Sequence, residues 1–423
     1  MGGIAYLVFL AIEAEVSGSR AVPPVRPRED SSISSVAGCR QGFVSNITNP
    51  KIMGKHAGKP HCLTAEKKLS VPPSRERWLS SAPDLMTTFG VTARRGRDGT
   101  SLPATQPLGR SDLLVPRLGV GAMTWGEAHG LGRLHPAKIA YGGADGRDEE
   151  RGAWEASIAA GATLFDTAAM YAGGASERRL GELSSDEALI ATKFPANLWA
   201  TADDMPGQLA DSLARLRRDH VDVYQHHFPF RWVDIPRLME FMADAVAAGT
   251  VRAVGVSNYS ADQMRQAHVA LAQRGIPLAS NQVEYSLLHR RPETNGVLDA
   301  CRELGVTLIA YQPLASGALT GRYSPSNRRR GLRRFFKPFR GRGLAALEPI
   351  TALLREIGER YGKTPAQVAL RWLIENDTVL PIPGAKNRKQ ATENAGALTF
   401  HLAQDEIEAL DTATRGLRLT PGA

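Results

Sequence analysis

Cysteine is scarce: Cys39, Cys62 and Cys301 are the only three in 423 residues, and no two stand in a Cys-x-x-Cys spacing. That excludes a disulfide framework and a cysteine-built metal centre, and it favours a reducing compartment. Apolar runs are short as well. None reaches the ~18–20 residues that a membrane-spanning helix needs, so no membrane partner is expected. The apolar stretch at residues 4–12 lacks a preceding positive charge and a small-x-small cleavage site. Secretion is therefore disfavoured and a cytoplasmic location expected, with organellar targeting by the leading segment left open. No Gly-x-Gly-x-x-Gly turn follows the first strand-like run, which counts against a Rossmann domain. The net charge is +9, yet no helix-turn-helix, zinc-finger or aromatic–basic sheet pattern accompanies it. The excess charge then points to a phosphorylated cofactor rather than to nucleic acid.

Hydrophobic residues make up 43% and charged residues 22%, enough for a core of normal size. They are unevenly spread. Residues 1–105 are rich in Pro, Ser, Arg and Gly and hold no sustained apolar period. They are expected to be a disordered extension: a targeting segment, a regulatory tail, or a stretch ahead of a true start at Met86. Residues 106–423 are expected to form the folded domain, where short β-branched runs alternate with amphipathic helical segments. The pattern predicts strands at 117–123, 163–167, 188–193, 221–226, 253–257, 279–283, 307–311 and 379–382. Helices are predicted at 206–217, 236–248, 260–274, 296–304, 347–361, 364–375, 389–398 and 404–415. Ser260 is a natural N-cap, Pro365 suits a helix start, and Gly249 and Gly275 are natural stops. Eight strands with intervening helices fit an α/β fold of the (β/α)8 TIM-barrel type. Little chain follows the last helix, so an open barrel mouth is expected.

In such a barrel, chemistry is done at the carboxyl ends of the strands. Those ends carry Asp166, Lys193, His226 or His227, Ser257-Asn258, Gln282 and Tyr311. Each has a plain alternative: Asp166 and Lys193 as a structural ion pair, Ser257-Asn258 as a turn and cap. So many polar strand ends together are better read as a site. Tyr171 follows Asp166 on one short loop and can return over the mouth. A tyrosine hydroxyl titrates near 10, and an adjacent Lys ammonium held by a carboxylate lowers that value. Asp166, Tyr171, Lys193 and a histidine thus compose a proton-donating site for carbonyl chemistry.

These residues lie in an ordered series of motifs. The series runs through Leu118-Gly-Val-Gly-Ala-Met-Thr-Trp-Gly126, Phe165-Asp-Thr-Ala-Ala-Met-Tyr171, Ser176-Glu-Arg-Arg-Leu-Gly181 and Ala191-Thr-Lys193. It continues with Val221-Asp-Val-Tyr-Gln-His-His227, Gly255-Val-Ser-Asn258, Asn281-Gln282, Ala310-Tyr-Gln-Pro-Leu314 and Pro381-Ile-Pro-Gly-Ala-Lys386. The series resembles the aldo-keto reductase superfamily over roughly residues 112–415. The resemblance implies NADPH-dependent reduction of aldehydes and ketones, with a catalytic tetrad of Asp166, Tyr171, Lys193 and His227. His227 is selected because the family's histidine stands fourth in Tyr-x-x-His; His226 would then pack away from the mouth. Ser257, Asn258 and Gln282 would hold the nicotinamide carboxamide, Tyr311 would stack on the ring, and Pro313 and Leu314 would add cofactor contacts. Ala122 departs from the pattern, since many relatives carry Thr there.

The adenine end of the cofactor is read from Gly384 and Lys386 to Gln390, Glu393 and Asn394. A strand-to-helix junction offers backbone N–H groups to phosphate, and Lys386, Arg388 and Lys389 would favour a 2′-phosphate. A solvated basic helix start is the plain alternative. The basic, aromatic-rich run 328–342 is expected to be a loop closing on the cofactor rather than a nucleic-acid or membrane patch. Its pattern is similar to a bacterial and plastid branch that includes pyridoxal-reductase-like proteins. Trp125 and Tyr259 are expected either as walls of the substrate pocket or as packing. No metal is implied, and the oligomeric state is open. Three rival functions remain: an NADPH sensor with little turnover, a Schiff-base enzyme using Lys193 as nucleophile, and a nucleic-acid binder using residues 328–342.

Overall fold

A hairpin of two antiparallel strands, β1 (Thr105–Pro107) and β2 (Leu114–Pro116), precedes eight parallel strands in a computed structural model of the chain. The structure describes residues 104–127, 146–195, 197, 199–324, 326–327, 337–339 and 343–417. Of residues 1–105, expected to be a disordered extension, Thr105 already opens β1; residues 1–103 and most of the basic run 328–342 lie outside the described residues.

The parallel strands are β3 (Val120–Gly121), β4 (Leu164–Asp166), β5 (Leu189–Phe194), β6 (Val221–His226), β7 (Val251–Ser257), β8 (Leu278–Glu284), β9 (Thr307–Tyr311) and β10 (Val379–Pro381). Each pairs with the next in sequence. The ring closes where β10 meets β3. The Gly119 and Gly121 N–H groups donate to the carbonyls of Pro381 and Pro383, both at 3.0 Å, and Gly121 bridges to Gly384. Helices fill the crossovers: α1 (Arg147–Ala159), α2 (Ala175–Leu183), α3 (Met205–Leu216), α4 (Ile235–Ala247), α5 (Ala261–Ala272) and α6 (Val297–Leu304). Two helices, α7 (Gly343–Tyr361) and α8 (Pro365–Ile374), separate β9 from β10, and α9 (Arg388–Ala395) and α10 (Gln404–Thr414) follow it. This is the (β/α)8 architecture. Ser260 caps α5 through a reciprocal bond with Gln263, and Thr364 caps α8 with Gln367 in the same way. The strands are buried on both faces, which is why they read as β-branched runs rather than alternating ones.

Inside the ring the side chains form layers. Leu164, Ala191, Val223, Ala253, Ala279, Ile309 and Leu380 make the lower, apolar layer, and Leu108, Leu113 and Val115 of the hairpin pack beneath it. The hairpin stoppers the barrel floor. Its turn requires Gly109, whose φ is +58° and where a Cβ would collide with the Ala279 carbonyl. The hairpin was not expected from the sequence, because three-residue strands ending in Pro107 and Pro116 carry no usable period. Strand alternation places Asp166, Lys193 and Gln225 two residues beyond Leu164, Ala191 and Val223, on the same inward face one layer higher. Among the described residues, no helix is long and apolar enough to cross a membrane.

Candidate active site

The upper layer is polar. Lys193, fully buried at the end of β5, donates from Nζ to Asp166 Oδ1 at 2.5 Å and to the Thr167 carbonyl at 2.7 Å. Its third contact is the Tyr171 hydroxyl at 3.5 Å. Tyr171 returns over the mouth through a tight turn, in which Ala172 (φ 51°), Gly173 (φ 64°) and Gly174 (φ 79°) are all left-handed. The His227 ring stands edge-on to the Tyr171 ring, with centroids 5.8 Å apart. All four residues expected to form the tetrad therefore meet in one place.

Their electrostatics differ from the simple expectation. Burial pushes the Tyr171 hydroxyl upward; Lys193 pulls it down and Asp166 pushes it up, and the net shift is upward. Lys193 acts in the expected direction but does not outweigh burial, so Tyr171 holds its proton through the neutral range. Burial lowers Lys193, yet the Asp166 carboxylate and Tyr171 more than offset it, and the amine is held above its ordinary value. A cationic amine has no lone pair to attack a carbonyl, which removes the basis of the Schiff-base reading.

The adjacent histidines divide as strand alternation requires. His226 ends β6 fully buried, with Nδ1 at 2.5 Å from the Tyr259 hydroxyl, and burial lowers its pKa to about 3. His227 lies one residue past the strand end, its face stacked on Phe228 at 4.2 Å. From there rings continue outward: Phe228 to Phe230 at 5.6 Å, then Phe230 stacked on Trp232 at 4.7 Å. Trp232 is 52% exposed, so this ladder runs from the tetrad to solvent.

Ser257 donates to the Gln282 carbonyl at 2.9 Å. Asn258, at φ 61°, donates from Nδ2 to the His227 carbonyl at 3.1 Å and accepts from the Tyr311 hydroxyl at 3.1 Å. Ser257, Asn258, Gln282 and Tyr311 thus surround one sector of the mouth, and Pro313 and Leu314 follow Tyr311 on the loop after β9. On the neighbouring side, Asn387 caps α9 by accepting from the Gln390 N–H at 3.0 Å, and Gln390 accepts from the Lys386 N–H at 3.0 Å. Asn394 donates to the Gly384 carbonyl at 3.2 Å, and Glu393 pairs with Arg322 at 2.8 Å. Arg388 is engaged elsewhere, in an ion pair with Glu155 of α1. Lys389 is exposed and makes no ion pair among the described residues.

Trp125 and Tyr259, expected either as pocket walls or as packing, are both buried. Trp125 is 0% exposed and donates from Nε1 to the Ala385 carbonyl at 2.6 Å, against Phe165. Tyr259 is 1% exposed and bound to His226. Each is hydrogen-bonded to a residue remote in the chain, Trp125 to Ala385 and Tyr259 to His226. Two other residues were overlooked. Gln225, fully buried, donates to Asp166 Oδ2 at 3.1 Å. Glu177, also fully buried, accepts from Thr192 and from Arg215, each at 2.6 Å, and ties α2 to β5. Reading strand ends alone passes over Gln225; counting by twos from Val223 finds it.

The model of the aldo/keto reductase family matches residues 117–415. The chain belongs to the aldo/keto reductase family. This aldo/keto reductase is 36% identical over 321 residues to the chloroplastic pyridoxal reductase of Arabidopsis thaliana, covering 72% of this chain and 84% of that protein. It is 34% identical over 288 residues to a Schizosaccharomyces pombe aldo-keto reductase named for NADP(+), covering 62% of this chain and 83% of that one. Among solved structures, a thermostable aldo-keto reductase in complex with the inhibitor epalrestat matches with a TM-score of 0.57 at 29% identity, covering 73% of this chain and 99% of that one. Family membership makes this reductase an oxidoreductase for carbonyl substrates.

Proposed function

We propose that this aldo/keto reductase reduces aldehydes and ketones to alcohols with NADPH, and that Tyr171 gives the proton to the carbonyl oxygen. The carrying observation is one buried ammonium, Lys193 Nζ, 2.5 Å from Asp166 Oδ1 and 3.5 Å from the Tyr171 hydroxyl. Tyr171 keeps its proton because burial raises it. Once the proton has passed to the substrate oxygen, the phenolate left behind lies beside a fixed positive charge. Lys193 therefore stabilises the state that forms during reaction more than the resting one. Asp166 holds Lys193 in place, and His227 directs the carbonyl oxygen toward Tyr171.

The residues present fit a phosphorylated nicotinamide cofactor. Amide and hydroxyl groups of Ser257, Asn258 and Gln282 gather beside Tyr311, with Pro313 and Leu314 next in the loop. At the far end, Gly384, Lys386, Gln390, Glu393 and Asn394 frame the start of α9, where exposed Lys389 pairs with no carboxylate among the described residues. NADPH is preferred to NADH on that charge, and the NADP(+) named for the fission-yeast relative supports it. When bound, NADPH supplies the hydride that the carbonyl carbon accepts.

The decisive test follows NADPH consumption with a panel of aldehydes, pyridoxal included, for the wild type and Tyr171→Phe. Turnover is expected in the wild type and a fall in kcat of about 10²–10⁴ in the variant, the usual worth of a general acid, with NADPH affinity kept. NADPH binding without turnover on any carbonyl returns the sensor reading. A fully active Tyr171→Phe removes Tyr171 as the acid.

A further inference from the structure

Behind the Asp166–Lys193 pair, the barrel interior holds a contact that proton transfer does not use. Gln225, 0% exposed on β6, donates from Nε2 to Asp166 Oδ2 at 3.1 Å. Its Oε1 accepts from Gln282 Nε2 at 3.3 Å, while that same Gln282 nitrogen donates to Asp166 Oδ2 at 2.8 Å. The three side chains form a closed triangle. A carboxylate paired with an ammonium only accepts, so each glutamine must turn its NH2 group toward it. Both amide hydrogens of Gln282 are then spent inside the triangle, one on Asp166 and one on Gln225. Its Oε1 is left outside the triangle.

We infer that Gln225 is a positioning residue for the cofactor site: it takes the second amide hydrogen of Gln282 and so fixes Gln282 Oε1 as an acceptor for the N–H of a nicotinamide carboxamide. This rests on the NADPH reading above. An amide can flip at little cost when its two ends meet similar partners. Here a flip would set Gln282 Oε1 against the Asp166 carboxylate and against Gln225 Oε1, two acceptors facing a third. The fold keeps space for this arrangement. A Cβ on Gly255 would come 3.0 Å from Gln225 Cγ and collide with Ser280 Oγ. The glycine of the Gly255-Val-Ser-Asn258 motif thus serves Gln225 as well as the backbone.

The experiment is a double-mutant cycle on NADPH affinity, read by fluorescence titration of the full chain without substrate. Gln225→Leu is expected to raise Kd about tenfold, the order lost with one buried hydrogen bond. Gln282→Leu should raise it at least as much. In the Gln282→Leu background, Gln225→Leu should add nothing, because the residue acts through Gln282. Gly255→Ala leaves both glutamines in the chain but pushes on Gln225, and should reproduce the effect in the first background and not in the second. It stands in for Gln225→Leu if that variant fails to fold. Unchanged Kd in a folded variant, or effects that multiply independently, would overturn the inference. Wild type that binds NADPH but reduces no carbonyl would remove the proposed function and leave this inference standing; wild type that binds no NADPH removes both.

Discussion

His226 and His227 are neighbours in sequence with opposite surroundings, and the difference has a measurable consequence. Burial holds His226 at a pKa of about 3 against 6.5 for the free side chain. Between those values the unfolded chain binds a proton that the native chain does not. Stability conferred by a neutral His226 is therefore complete above about 6.5 and is lost as pH falls toward the folded value, by up to ~1.4 kcal/mol per pH unit. Urea unfolding across that window should show this slope in the wild type. His226→Gln, which keeps a partner for the Tyr259 hydroxyl, should flatten it; an equally steep variant would mean that another group carries the acid sensitivity. Such side-chain placements were only partly legible in the sequence. Asp166 and Lys193 stood out by residue type at strand ends and Tyr171 on the loop after Asp166, whereas His227 was separated from His226 only by the Tyr-x-x-His pattern of the resembled family. Trp125 and Tyr259 were left open because an aromatic beside a motif reads the same whether it lines a pocket or braces a loop. Their hydrogen bonds to Ala385 and His226 decide between the two, and those partners are remote in the chain.

Among the elements, α9 joins charge to helix geometry. Its cap, Asn387, and the Lys386–Gln390 bond hold the start of the helix at the end of β10. Arg388 is paired with Glu155, so the proposed reading of a 2′-phosphate is tested at Lys389. Lys389→Glu should weaken NADPH by about tenfold or more while leaving NADH within a fewfold, on the scale of one charge-assisted contact. Arg388→Ala should spare both cofactors. Equal losses for the two cofactors in Lys389→Glu, measured by titration, would show that the lysine does not read the extra phosphate. The long interior elements were the easiest to foresee: 221–226 and 307–311 match β6 and β9 to the residue. Short ones were poorly foreseen. The run 117–123 shrinks to Val120–Gly121, because the flanking residues make single bonds across the seam rather than a ladder. The predicted helix 389–398 divides into α9 and a tighter turn at Gly396–Thr399, where a Cβ on Gly396 would collide with Gln367.

For the molecule as a whole, the hairpin beneath the barrel matters more than its six strand residues imply. Leu108, Leu113 and Val115 seal an apolar layer that would otherwise face water. Gly109→Ala forces a left-handed alanine into the Ala279 carbonyl, and should cost about 1–3 kcal/mol, seen as a drop of several degrees in Tm. An unchanged Tm would mean that the hairpin sits on the barrel without bearing on its stability. The seam between β3 and β10 acts at a longer range. Gly119 and Gly121 find their partners only at Pro381 and Pro383, so a chain emerging from the ribosome carries an open sheet with two bare edges until those last residues appear. The residues proposed to hold the carboxamide, on β7–β9, are synthesised well before the turn after β10 that is proposed to hold phosphate. No nascent fragment short of Gly384 contains both ends of the proposed cofactor site.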